Sequence, residues 1–129
     1  MKSLLYGMVI CAMICSCADS IEDKAQRECE EFTHKFCPTP FVNDERTDSQ
    51  VFDRSTKTIV FYRTLRGKAD NKEVIDVNKF KLHEALRTSL DNNTSLKRYR
   101  EANFGIRFLY RSASHQNLIL YEDSFRLKN

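Results

Sequence analysis

The sequence predicts an α+β fold in which an antiparallel sheet of about four strands carries two main helices on one face. Apolar residues recur at three- and four-residue steps in two segments, which is typical of amphipathic helices. Runs rich in β-branched and aromatic residues are too short for helices and indicate strands. The segments follow the order α-β-β-α-(α)-β-β without an internal repeat, and packing both helices on one face of the sheet would bury all their apolar sides.

The N-terminal segment differs from the rest of the chain. Lys2 gives it a positive start, and residues 4–14 form an apolar stretch of the length found in export signals. That stretch is too short for a membrane-spanning helix, which requires about 20 apolar residues. Residues 1–16 are therefore predicted to be a cleavable signal peptide.

The end of this segment resembles a bacterial lipobox and reads Ile14-Cys15-Ser16-Cys17. The resemblance implies cleavage between Ser16 and Cys17 and diacylation of Cys17, although Cys15 occupies a position that is usually small. Several acyl chains would hold the protein on a membrane, because each buried CH₂ contributes about 0.8 kcal/mol. Ala18, rather than an aspartate, follows Cys17, which implies the outer membrane of a Gram-negative bacterium. An ordinary secretory signal or an uncleaved anchor is the alternative.

The remaining chain is predicted to be a short lipidated tether, residues 17–20, and a single domain, residues 21–129. It is too short for two independent cores. The net charge of +3 implies no polyanionic partner such as a nucleic acid. One local basic cluster is the exception and comprises Lys97, Arg98 and Arg100. It is a candidate contact for anionic lipid or glycan, although a solvated face is the simpler interpretation.

Two helices are indicated by capping residues and apolar stripes. Ser20 with Asp23 forms a capping-box variant at the start of the first helix, which Pro38 ends. Its apolar face comprises Ile21, Ala25, Cys29, Phe32 and Phe36. Asp76 or Asn78 is predicted to cap a second helix that runs to about Leu90, with a short helical piece starting at Thr94 or Ser95. The buried stripe of the second helix is predicted to be Leu82, Ala85, Leu86, Ser89 and Leu90.

Four strands are expected. A polar connection over residues 43–48 leads into Val51-Phe52, and residues 58–65 form the next strand. Either Ile59, Phe61 and Leu65 or Val60 and Tyr62 could face the core, because both sides are rather apolar. Apolar residues alternate over 104–110, and residues 118–121 follow a short turn, so these two segments are predicted to pair as an antiparallel hairpin.

Two cysteines lie in the predicted mature domain, and an exported compartment would permit a disulfide between Cys29 and Cys37. On one continuous helix their Cα atoms would be about 12 Å apart, beyond disulfide reach of about 7 Å. A bridge therefore requires the helix to end early. Two separate thiols fit the sequence equally well.

Four local features together resemble a family of small, mostly uncharacterised exported bacterial lipoproteins. They are a helix ending in Cys37-Pro38, an Asp/Thr-rich turn at 44–49, the pair Phe61-Tyr62 and a closing strand at 108–110. A leucine-bearing helix at 82–90 completes the outline, which covers residues 21–125. The resemblance implies fold and compartment and assigns no catalytic residue.

No enzyme signature is present in the sequence. The histidines, His34, His83 and His115, stand in no metal-binding or nucleophile motif, and three glycines provide no phosphate loop. We therefore expect no catalysis, cofactor or metal. The leading hypothesis is an envelope lipoprotein that binds a protein partner; the alternative is a module for a small ligand or glycan. If the aromatic residues of the strands form a closed core, the first is favoured, and if they line a pocket, the second: Phe61, Tyr62, Phe108 and Tyr110.

Overall fold

The computed structural model describes residues 20–128 and contains one four-stranded sheet in the order β1-β2-β3-β4. The helices are α1 (Ile21–Phe36), α2 (Lys72–Val77), α3 (Lys79–Asp91) and α4 (Lys97–Glu101). The strands are β1 (Glu45–Asp53), β2 (Thr58–Leu65), β3 (Gly105–Ser112) and β4 (Ile119–Arg126). Short 3₁₀ turns at Gly67–Ala69 and Thr94–Leu96 precede α2 and α4.

The predicted α+β class and element order are confirmed, but the sheet is mixed. β1 with β2 and β3 with β4 are antiparallel, whereas the central strands β2 and β3 are parallel, with Ile59 opposite Ile106. Parallel neighbours need a long crossover connection. Here α2, α3 and α4 provide it, because they return the chain to the end of the sheet at which β2 began.

Helix α1 starts as the sequence predicts, and part of its predicted apolar face is buried. Ser20 is its N-cap, and the Asp23 backbone N–H donates to Ser20 Oγ over 3.0 Å. Ala25 and Cys29 are buried, whereas Phe36, predicted on the same apolar face, is 60% exposed. Thr33 Oγ1 donates to the Gln50 carbonyl and accepts from the Gln50 N–H, both at 3.0 Å, which fixes α1 to the edge strand β1.

The predicted second helix is two helices. Asn71 caps α2, and Asn78 separates α2 from α3 without capping α3 through its side chain. Leu82 and Leu86 pack against the core and Leu90 is buried. The predicted burial of Ala85 and Ser89 is wrong, since both are exposed. Only a narrow leucine stripe of α3 is covered, because the helix lies at the margin of the sheet beside β4.

Strand β1 is much longer than predicted and includes most of the expected polar connection. The turn is confined to Asn43 and Asp44, whose φ values are +52° and +62°. Polar residues from Glu45 onward can belong to the strand because hydrogen bonds to neighbouring residues satisfy their polar groups. For example, the Thr47 N–H donates to Thr39 Oγ1 over 2.9 Å. Around Asp48 the register shifts by one residue, forming an irregularity in the edge strand.

The main core lies between the helices and one face of the sheet. On this helix-covered face, Phe61 stacks on Phe108 at 5.2 Å between ring centroids, and Ile106 has no exposed surface. Ile59, Phe61 and Leu65 belong to this core, so the first of the two predicted arrangements of β2 is the observed one. Val60 and Tyr62 alternate to the opposite face, which we call the open face.

Candidate functional site

The predicted signal peptide, residues 1–16, and the predicted cleavage and acylation positions, Ser16 and Cys17, lie outside the described residues. The tether, residues 17–20, is described only at Ser20. Within residues 20–128, no helix has the length and apolar character needed to cross a membrane.

The predicted basic cluster does not act as one surface. Arg100 is half-buried, and its Nη2 donates to the Leu90 carbonyl over 2.8 Å. This hydrogen bond satisfies a carbonyl in the last turn of α3. Lys97 and Arg98 are exposed on α4. Arg98 instead joins Ser20, Lys24 and Arg27 around a shallow depression of about 420 Å³ beside the start of α1. Basic side chains therefore gather where the chain enters the domain.

Cys29 and Cys37 are both free thiols. Helix α1 continues unbroken to Phe36, so the early end that a Cys29–Cys37 bridge requires is missing. Cys29 is buried against the core, and its burial raises the pKa of the thiol to about 11. Burial also raises the pKa of Cys37. Both thiols are therefore weak nucleophiles at neutral pH.

A cleft of about 790 Å³ lies on the open face, and we call it the arginine cleft. It lies where the parallel strands β2 and β3 both end, between the edge strand β1 and the turn before β4. The register aligns Arg46 with Thr64 and Thr64 with Arg111, so one face of three adjacent strands forms its floor. The lining residues used below are Phe41, Arg46, Asp48, Ser49, Tyr62, Thr64, Arg66, Arg111 and Gln116.

Two of the three arginines in the cleft are held by an aromatic ring. The guanidinium of Arg66 lies 4.1 Å from the centroid of Phe41, and that of Arg46 lies 4.8 Å from the same ring. Arg66 Nε is 3.4 Å from Asp44 Oδ1, and Arg46 Nε is 2.8 Å from Asp48 Oδ1. The attraction between ring and cation restrains both guanidiniums and leaves them N–H groups that can still donate.

Both oxygens of the carboxylate in the cleft accept hydrogen bonds from protein groups. Asp48 Oδ1 accepts from Arg46, and Asp48 Oδ2 accepts from the Thr64 hydroxyl over 2.5 Å. Arg111 differs, since its exposed guanidinium has no hydrogen-bond or ion-pair partner among residues 20–128. The cleft therefore presents excess positive charge with unused donors.

His83 lies in a separate polar cluster between α3 and β4. Its Nδ1 is 2.7 Å from Asp123 Oδ2, which also accepts from the Tyr121 hydroxyl over 2.5 Å. The ring of His83 stacks on Phe125 at 4.8 Å. Burial raises the pKa of Tyr121, as does the hydrogen bond to Asp123. These contacts hold α3 on the sheet margin.

Ser114 and His115 are adjacent in the turn after β3, and Ser114 Oγ lies 3.0 Å from His115 Nδ1. Ser114 Oγ also donates to Asp70 Oδ2 over 2.6 Å, and the hydroxyls of Ser112 and Ser114 lower the pKa of Asp70. In a catalytic triad the acid orients the histidine, whereas here it binds the serine. The third histidine, His34, is exposed near the end of α1. Within residues 20–128, no three His, Cys, Asp or Glu residues are grouped as metal ligands.

The arginine cleft was not predicted from the sequence. Its residues come from the linker before β1, from three strands, from the segment after β2 and from the turn after β3. Only the register of a partly parallel sheet brings them together. The available signal was the presence of polar and basic residues at alternate positions of β2 and β3, such as Tyr62, Thr64, Arg107 and Arg111.

Comparison with known proteins gives a family and a fold. A family model described as a domain of unknown function, DUF8479, matches residues 20–121. The chain belongs to this family. Its description assigns no activity, and no curated protein is significantly similar in sequence.

A crystal structure from Pseudomonas aeruginosa, of a protein predicted to be secreted, is similar to this member of DUF8479. The TM-score is 0.63 at 12% sequence identity, and the match covers 84% of this chain and 95% of that one. At this identity the likeness shows the shared fold.

Proposed function

We propose that the protein is exported, acylated at Cys17 and held at the outer membrane of a Gram-negative bacterium, where its domain binds another envelope protein without catalysing a reaction. The signal-like residues 1–16 and the lipobox-like quartet support export and acylation. The similar fold of the Pseudomonas aeruginosa protein, itself predicted to be secreted, agrees with an exported domain.

The start of α1 supports the proposed anchor. Ser20 caps the helix and is only three residues from Cys17, so a lipid on Cys17 would hold this end within about 10 Å of the membrane. Lys24 and Arg98 lie at the same end. A basic residue near an anionic leaflet contributes about 1 kcal/mol, so these side chains would assist the lipid in orienting the domain.

The proposal that the domain binds a protein rests on an exposed apolar strip on α2 and the start of α3. Val74, Val77 and Phe80 occur at three-residue steps and are 48%, 85% and 77% exposed. Single exposed apolar side chains are common, but grouped ones including an aromatic residue are typical of interface cores. Lys72 and Lys79 flank the strip and share Asp76 as an ion-pair partner.

The anchor is tested by growing cells with a clickable fatty acid. The wild-type protein should incorporate the label, and Cys17→Ala should not. Cys37→Ala is the matched control, because it removes a cysteine from the mature domain and should retain the label. Labelling of Cys17→Ala would show that the anchor is assigned wrongly.

Partner binding is tested by placing a photo-crosslinking residue at Val77 in living cells. One dominant envelope protein should be captured, and both Phe80→Glu and Cys17→Ala should abolish the capture. A crosslinker at Thr88, which is exposed on α3 outside the strip, is the control position. Equal capture from both positions, or capture that survives Phe80→Glu, would contradict a specific interface.

A small-ligand or glycan module is the second candidate. Among the four aromatic residues in question, Phe108 and Tyr110 are buried and Phe61 packs against the core, which favours the partner hypothesis. Tyr62 instead lines the arginine cleft, whose volume of about 790 Å³ lies in the range of ligand sites. The cleft is the specific observation that supports this candidate.

A further inference from the structure

We propose that the arginine cleft binds a small oxyanionic saccharide, phosphorylated or carboxylated, through the guanidinium of Arg111. The inference rests on the second candidate function and makes it specific. It requires neither acylation of Cys17 nor the apolar strip. Arg46 and Arg66 complete the positive wall around the anion, and the hydroxyl-bearing lining accommodates the remainder of the ligand.

The charge of the lining selects an anion. Arg46, Arg66 and Arg111 line the cleft. Arg46 pairs with Asp48 and Arg66 with Asp44, so Arg111 supplies the positive charge that no carboxylate balances within the described residues. Arg111 binds neither oxygen of Asp48, since Asp48 Oδ1 accepts from Arg46 and Asp48 Oδ2 accepts from the Thr64 hydroxyl. Arg111 lies opposite Thr64 on β3 and keeps its planar fork of donors unpaired within the described part of the chain. Such a fork matches the spacing of phosphate or carboxylate oxygens.

Two of the three arginines, Arg46 and Arg66, are also held in place before a ligand arrives. Phe41 supports the guanidiniums of both Arg46 and Arg66, and each Nε is directed toward a neighbouring carboxylate. A long side chain that is already ordered loses less conformational entropy on binding. The cleft is therefore organised for anion recognition, unlike the basic cluster on α4, where Lys97 and Arg98 project into solvent.

The size and polarity of the cleft indicate more than a free inorganic ion. A volume of about 790 Å³ accommodates a small organic molecule. Around the arginines lie hydroxyl and amide groups of Ser49, Tyr62 and Gln116, which can donate to and accept from sugar hydroxyls. The half-buried ring of Tyr62 adds an aromatic surface. This combination fits a ligand with one charged end and a hydroxyl-rich body.

The test is a titration of the ¹⁵N-labelled full chain, in a neutral detergent, with glucose 6-phosphate, glucuronate and glucose. At least one of the two anionic probes should shift backbone NMR signals of residues 111–116, whereas glucose should shift them far less. The probe that binds identifies the oxyanion as phosphate or carboxylate. Arg111→Gln should weaken that binding about tenfold or more, because hydrogen bonds to a charged group are lost.

Two variants separate specific contact from general charge. Arg111→Lys keeps the charge without the planar fork and should bind with intermediate affinity. Lys68→Gln removes one positive charge from an exposed residue outside the lining and should leave affinity unchanged. Binding that is unaffected by Arg111→Gln, equally weakened by Lys68→Gln, or absent for both anions would overturn the inference. Equal binding of glucose would also overturn it while leaving the second candidate function intact.

Discussion

On the helix-covered face of the sheet, Phe52, Ile106 and Phe108 are at most 6% exposed and pack under helices, whereas Ser49, Tyr62 and Arg111 on the open face line a cleft. The same strands build both faces, because successive side chains alternate across a sheet. One face supplies most of the apolar burial that stabilises the domain, whereas polar side chains of the other face line the cleft for which we propose a ligand.

The division is not absolute. Val60 and Leu109 lie on the open face and are nevertheless 5% and 6% exposed, although neither belongs to the helix-side core. The open face therefore combines a buried apolar centre with the polar cleft at the end where β2 and β3 finish. Four predictions test this contrast between the two faces.

We expect the largest change in the free energy of unfolding when an apolar side chain of β3 that faces the helices is shortened to alanine, and a smaller one when the same is done on the open face. Ile106→Ala should lower the free energy of unfolding by roughly 4 kcal/mol, since it leaves a cavity under the helices. Leu109→Ala should cost only about 2 kcal/mol, near the lower end for such truncations, because surrounding side chains and solvent can fill the gap on the open face. Urea unfolding of both variants measures the difference.

Equal costs for the two truncations would contradict the assignment of the main core to one face. The slope of each unfolding curve is the control, since unchanged slopes show that the variants still unfold from comparable native states.

The next largest effect concerns Gly105, where the open face is tightly packed. An added Cβ would lie 2.7 Å from Oγ1 of Thr58, its partner on β2, and 3.3 Å from Arg126 Nη1. Gly105→Ala should therefore destabilise the domain by about 1–3 kcal/mol through overpacking. Thermal unfolding should show partial rescue in the double variant Gly105→Ala/Thr58→Ala. Absence of rescue would show that the cost arises elsewhere than at this contact.

A smaller effect is expected at the helix that covers the core. Ser20→Ala removes the acceptor for the Asp23 N–H and should cost about 1 kcal/mol, the usual value for losing an N-cap. Ser20→Asp should retain most of the stability, because aspartate caps a helix as well as serine does. Urea unfolding distinguishes these variants, and an unchanged stability in Ser20→Ala would mean that α1 depends on packing alone.

The comparison also explains which features the sequence could predict. Strict alternation over residues 104–110 predicts β3, and Ser20 with Asp23 predicts the start of α1, because both signals are local. The parallel pairing of β2 with β3 is not encoded in either strand, since it depends on the path of the crossover through α2 to α4. The sequence predicts a connection where β1 starts, because the start of the strand is polar. The residues that satisfy its hydrogen bonds, such as Thr39, lie elsewhere in the chain.

The same reasoning separates the two parts of the functional proposal. The lipobox-like residues around Cys17 are contiguous and can be recognised directly from the sequence. The arginine cleft cannot, because Arg46, Arg66 and Arg111 become neighbours only after the sheet has formed. The basic run Lys97-Arg98 is easily recognised in the sequence. However, Arg100 of the same cluster donates a hydrogen bond to the Leu90 carbonyl near the C-terminal end of α3.

The smallest effect on stability is expected from the residue that matters most for the proposed ligand. Arg111→Gln changes an exposed side chain without a partner in the described structure, so the free energy of unfolding should change by no more than about 0.5 kcal/mol. Arg63→Gln is the contrasting control on the helix-covered face. Arg63 bonds Glu45 Oε1 and the Tyr110 hydroxyl, each at 2.9 Å, and lies over the Phe108 ring, so its loss should be clearly destabilising. If both variants lost stability equally in urea unfolding, the arginines of the open face would be structural, and their availability for a ligand would lose its support.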